Sequence, residues 1–229
     1  MSEPPSTLPA FDGIPDPSED LPLPAFVRPG ADRVGRTRAE LRRARVVTLV
    51  VALAWFTGQI GYFGVRHELH RVPWVYLLAF SVGPFAAAAF SFLVALHAGR
   101  FGLGVGARTA GVLSLLGPLA FLALAWLYSP AYPGAPLGEG GSTFACLGFG
   151  LLWMFVPLLL AGVALKSSFV GAALPRSALI GTAAGLASAA ISTLHCPFSG
   201  ALHVGLGHGG AAIVGTVAGA LALARLARA

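Results

Sequence analysis

Six stretches of mainly apolar residues recur along this 229-residue chain, roughly 46–65, 74–97, 108–128, 144–165, 175–195 and 205–225. Each is about the 20 residues that a helix needs to cross the hydrocarbon core of a bilayer. No other feature confines the fold as strongly. A chain in lipid has to satisfy its backbone polar groups internally, which leaves helices and closed barrels. Long continuous apolar runs, rather than short alternating ones, specify helices. The expected fold is therefore all-α, a polytopic membrane bundle of six transmembrane helices. Composition agrees, since 56% of the residues are hydrophobic and only 10% charged, too apolar a balance for a soluble domain of this size.

Charge sets the expected orientation. Seven arginines from Arg28 to Arg45 precede the first run, Arg100 and Arg108 bracket the second connection, Lys166 and Arg176 the fourth, and Arg225 and Arg228 end the chain. Thirteen of the fifteen Lys and Arg residues fall on one side, and only Arg66 and Arg71 on the other. The positive-inside rule then predicts N-in and C-in. It also accounts for the net charge of +6 without any direct nucleic-acid binding. The lipid bilayer is the first partner implied. No apolar core follows an early basic segment, so the first span is expected to act as an uncleaved anchor.

Three regions follow from these shifts in composition. Residues 1–32 hold eight prolines among acidic residues, the pattern of a disordered cytoplasmic tail. Residues 33–45 form a basic juxtamembrane segment compatible with a helix, suited to the anionic-lipid side. Residues 46–228 make up the six-helix transmembrane domain. Pro84, Pro118 and Pro157 predict bends in spans two, three and four. Gly181 and Gly185, with Gly215 and Gly219, are small-xxx-small pairs that predict close helix packing in spans five and six. Ser129 to Ser142 reads as an external Pro/Gly-rich loop.

The chemistry concentrates between Ser192 and His208, S-T-L-H-C-P-F-S-G-A-L-H-V-G-L-G-H, which holds three of the six histidines and one of the two cysteines. With the orientation above, His67, His70, Cys146, His195, Cys196, His203 and His208 all fall at the outer face, and only His97 at the inner. Cys146 and Cys196 sit at matching depths, so a redox pair is open to them if their alpha carbons approach within about 7 Å; two unrelated small core residues are the alternative. A metal ion at the outer cluster is the cofactor to consider. It would draw on His67 and His70, three apart on one helical face, with His195, Cys196, His203 or His208 across helices. His195 beside Cys196 is also placed to tune the thiol.

Several functions are disfavoured. After Glu40 the only acids are Glu68 and Glu139, both in outer connections, so no carboxylate lies within the bilayer to drive a coupled pump. Haem would need mid-depth histidines on two helices. A thiol oxidoreductase ordinarily needs two cysteines close in sequence. The chain is accordingly read as a non-enzyme.

Six spans, a cysteine at the start of span four and a second within H-C-P-x(5)-H-x(4)-H between spans five and six resemble the NrsF-type membrane anti-sigma factors. The resemblance covers roughly residues 40 to 228, most specifically Leu194 to His208. It implies a negative regulator in a bacterial inner membrane that sequesters an extracytoplasmic-function (ECF) sigma factor on the cytoplasmic side. Cys146 and Cys196 would be its redox- or metal-sensing pair. The partner-binding part maps onto the N-terminal segment, where the docking element is a short helix carrying Arg36, Arg38, Leu41 and Arg42. A small transporter or channel with a His/Cys-lined outer mouth is the rival function.

Overall fold

Six helices carry the fold: α1 (Arg38–Phe63), α2 (Trp74–Leu96), α3 (Ala107–Tyr128), α4 (Gly140–Ala164), α5 (Ala173–His195) and α6 (His203–Leu223). The computed structural model describes residues 38–67, 69–96, 106–128, 140–164 and 173–225. The proline-rich tail, Arg36, His97 and most of the loop after α3 lie outside these ranges. All six helices are long and apolar enough to cross a membrane, and no strand occurs among the described residues. The chain is a multi-pass membrane protein of all-α class, as the hydropathy pattern implies.

The bundle is organised around α5. Of its most apolar window 94% is buried, against 17% for α1 and 28% for each of α2, α3 and α4. All five other helices pack against it. Its sequence explains the position, because A-L-P-R-S-A-L-I-G-T-A-A-G-L-A-S-A-A-I-S-T-L-H consists largely of Ala, Gly, Ser and Thr. Lipid tails give no hydrophobic drive for one helix to leave them for another, so small side chains that admit close backbone contact decide which helix is central. Many bulky residues of the other helices, among them Leu93, Leu115, Leu119 and Phe155, remain exposed on the outside of the bundle, while Phe56, Phe80 and Phe121 turn inward.

The glycine pairs lie at the α5–α6 crossing. A methyl group at Gly181 would collide with the carbonyl of Gly215, and one at Gly185 would stand 2.5 Å from both the Ala211 carbonyl oxygen and the Ala212 alpha carbon. Hydroxyls join the helices where side chains are small. Ser188 donates to the Gly150 carbonyl on α4 at 2.8 Å, and the Thr182 and Thr216 hydroxyls share a 2.8 Å hydrogen bond between α5 and α6.

From Arg38 the helix-compatible basic segment is the first part of α1, continuous to Phe63. One boundary differs from expectation: α4 begins at Gly140, so Ser142 belongs to its first turn, with Thr143, rather than to the preceding loop. The prolines are accommodated differently from one another. Pro84 follows a widened, π-type turn at Leu78–Val82, which relieves the clash its ring makes with the preceding turn, whereas α3 and α4 continue through Pro118 and Pro157.

A buried cysteine and histidine cluster at one end of the bundle

Cys146 lies two turns into α4. Cys196 follows the last residue of α5, its amide still bonded to the Ser192 carbonyl at 2.9 Å, and Pro197 then turns the chain away. The short connection returns into α6, whose opening turns carry His203 and His208. Three separate segments thus deliver four side chains to one spot, and their ligand atoms all lie within 4.8 Å of one another. The sulfur atoms of Cys146 and Cys196 are 3.5 Å apart, and Cys196 Sγ is 3.1 Å from His203 Nε2. Both cysteines are free thiols. Cys196, His203 and His208 are buried, the last completely.

The pairing of the two histidines depends on an irregular backbone. In a regular α-helix, residues five apart are separated by about 140° around the axis, on different faces. His203–His208 instead forms a single π-type turn, whose i to i+5 repeat brings both rings to one side. The rings meet edge to face with centroids 5.2 Å apart.

Hydroxyl groups fix the imidazoles from behind. The Thr193 hydroxyl donates to the Ala189 carbonyl at 3.0 Å, so toward His208 it is an acceptor, receiving the proton of Nδ1 at 3.2 Å. That bond places the lone pair of His208 on Nε2, a buried atom with no hydrogen-bond partner. His203 also has hydroxyls behind it. Its Nδ1 faces the Thr143 and Ser142 hydroxyls at 3.2 and 3.4 Å while Nε2 faces Cys196. Thr143 is in reach only because α4 starts a turn early. The hydrogen bond shared with Cys146, together with burial, holds the Cys196 thiol above its ordinary pKa.

The cluster is tied to α1 by two routes. Arg66, in the connection after α1, donates from its Nη1 to the Cys196 carbonyl at 3.0 Å, and its own amide bonds to the Leu194 carbonyl at 3.0 Å. Its guanidinium lies 5.8 Å from the centre of the Tyr76 ring. On α4, Trp153 packs against Trp55 and Phe63 of α1, and the Trp55 indole donates to the Trp153 carbonyl at 2.9 Å.

Not every candidate residue joins the group. His67 and His70 are exposed on the α1–α2 connection, because that segment docks through Arg66 rather than through its imidazoles. His195 stays outside the four-residue group; its ring packs on Phe63 at 5.8 Å and lines a cavity of about 320 Å³. Both cysteines also line that cavity, between Phe149, Trp153 and Phe198, which gives small reagents a way to the thiols. At the other end of α1, Arg42 is exposed; Arg38 opens the helix and Leu41 lies one turn further on. Thr143, Thr193 and Arg66 are the site residues that spacing alone does not pick out.

Chemically, the cluster offers two thiols close enough to oxidise to a disulfide, and a buried S₂N₂ donor set of the kind that holds soft cations. Comparisons with protein-family models, with curated proteins and with solved structures find no match.

Proposed function

We propose that this chain is a negative regulator in the bacterial inner membrane. In this reading it holds an extracytoplasmic-function sigma factor at its cytoplasmic N-terminal segment and releases it when an external redox or metal signal acts on Cys146 and Cys196. The observation that carries the reading is the 3.5 Å approach of two free thiols at the end of the bundle opposite the basic start of α1. The resemblance to NrsF-type anti-sigma factors supplies the partner. The charge asymmetry supplies the orientation, with Arg38 inside and the thiols outside.

Oxidation would remove two electrons and two protons from the thiols and join their sulfurs. A hydroperoxide is a suitable acceptor, reduced to an alcohol and water. Closing a 3.5 Å gap to a disulfide bond draws the sulfurs together by about 1.5 Å. Arg66 and the Trp55–Trp153 contact give that movement a path to α1, whose 26 residues span about 39 Å between the two faces. Taking partner occupancy from 99% to 1% requires about 5.5 kcal/mol of differential binding.

The test is purification of the tagged protein from gently solubilised membranes of its own source, with identification of the bound proteins before and after oxidant. A sigma factor present before treatment and lost afterwards supports the regulator. Its absence from both samples overturns that function and favours the transporter.

A further inference from the structure

We propose that Cys146, Cys196, His203 and His208 form a four-coordinate site for a soft closed-shell cation, with Zn(II) as the divalent case, and that Thr143 and Thr193 orient its imidazole ligands. This names a ligand class for the same receiving site, and it rests on the regulator reading only for what ion binding would accomplish.

Geometry carries the proposal furthest. A tetrahedral ion with bonds of about 2.3 Å to sulfur and about 2.0–2.1 Å to imidazole nitrogen sets neighbouring ligand atoms roughly 3.3–3.8 Å apart. The observed 3.5 Å between sulfurs and 3.1 Å from Cys196 Sγ to His203 Nε2 need shifts of only a few tenths of an ångström. Each residue contributes one donor atom, and all four donors lie within 4.8 Å of each other.

The surroundings of the histidines point the same way. A metal-bound imidazole characteristically donates its second N–H to an outer group, which fixes the tautomer and aims the remaining lone pair. His208 does this through Thr193, whose own proton is committed to the Ala189 carbonyl. The resulting lone pair on Nε2 is completely buried, meets no donor in good hydrogen-bond geometry and has only the Cys146 and Cys196 sulfurs and the His203 ring around it. An acceptor left so is costly, because it has given up water for at most a weak thiol donor. A cation shared with the two sulfurs removes that cost. His203 is likewise held between two partners, Nδ1 at the Thr143 hydroxyl and Nε2 at the Cys196 sulfur.

Charge and connectivity are consistent with a divalent ion. On binding, both thiols pass their protons to solvent, and two thiolates with two neutral imidazoles around Zn(II) leave the buried site with no net charge. The ligands come from α4, from the α5–α6 connection and from α6, so the ion would fasten three segments together. The cavity that both cysteines line is the route by which it arrives.

The experiment uses the reduced full-length protein in detergent, with Co(II) as spectroscopic probe and Zn(II) as competitor. The expected result is one ion per chain, a thiolate-to-cobalt charge-transfer band with the intense visible bands of tetrahedral Co(II), and displacement of both by Zn(II). Thr193→Val keeps the shape of the side chain but removes the acceptor, and should weaken affinity by roughly 10- to 100-fold, with thermal unfolding of the ion-free protein checking that the fold is retained. His208→Asn is a second variant if His208→Ala does not fold. Absence of the bands, their survival in Cys146→Ser, or unchanged affinity in both His208 variants overturns the site. The readout involves no partner protein. A chain that binds no Co(II) yet releases its partner on oxidation overturns the metal site and keeps the regulator; a chain that binds Co(II) but holds no partner does the reverse.

Discussion

The sulfur atoms of Cys146 and Cys196 stand 3.5 Å apart although 50 residues separate them in sequence. One is carried by the second turn of α4 and the other by the end of the central helix. Their proximity is therefore a property of the whole bundle, fixed by α5 packing along α4 through contacts such as Ser188 with the Gly150 carbonyl. Any reagent that changes their separation acts on the helix that all the others touch.

Oxidation should convert this pair into a disulfide within one chain. Treating purified protein with hydroperoxide is expected to abolish both reactive thiols without producing a dimer, as read by mass spectrometry of alkylated peptides. Cys146→Ser or Cys196→Ser should leave the remaining thiol alkylatable. Full alkylation of both cysteines after oxidant would contradict the redox pair.

The α5–α6 crossing should tolerate no side chain at its glycines. Gly181→Ala is expected to destabilise the bundle by about 1–3 kcal/mol, because the added methyl meets the Gly215 backbone rather than a flexible side chain. Gly148→Ala is the control. Nothing lies within 4 Å of a methyl there, and the better helix propensity of alanine should leave stability equal or slightly higher. Thermal unfolding in detergent compares the two, and equal losses would contradict the crossing.

Arg66 should govern how firmly Cys196 is held. Arg66→Gln shortens the side chain and removes the bond to the Cys196 carbonyl, at a cost of about 1–3 kcal/mol for the buried group left behind. Cys196 is then expected to react faster with a membrane-permeant maleimide, while a thiol introduced at Gly111, near the start of α3 and away from the cluster, reacts at its original rate. An unchanged Cys196 rate would show that Arg66 does not clamp that end of α5.

The bundle was largely legible in the sequence because bilayer thickness fixes span length. Each of the six runs became a helix: α1 takes in the helix-compatible basic residues from Arg38, and α4 starts a turn early, at Gly140, in a segment that composition assigns to a loop. The small residues of α5 and α6 announce close packing, though not that α5 is the centre. Matching depth left a pairing of Cys146 and Cys196 open, but not the contact of the two helix ends that brings their sulfurs together. His203 and His208 were legible as candidate ligands, but their sharing of a face was not, since it comes through a π-type turn that regular helical spacing does not anticipate. His67 and His70 satisfy helical spacing but remain exposed, because their connection is anchored by Arg66, a residue whose sequence context marks it only as an outer charge. The hydroxyls of Thr143 and Thr193 act across helices and carry no local signal.

The most direct measurement of the central claim is the amount of sigma factor retained by membranes carrying the wild-type chain or Cys146→Ser, followed through exposure to hydroperoxide. The expected result is equal retention before treatment, a fall with oxidant in the wild type, and no fall in Cys146→Ser. A fall of the same size in both, or no sigma factor retained by either, would contradict it.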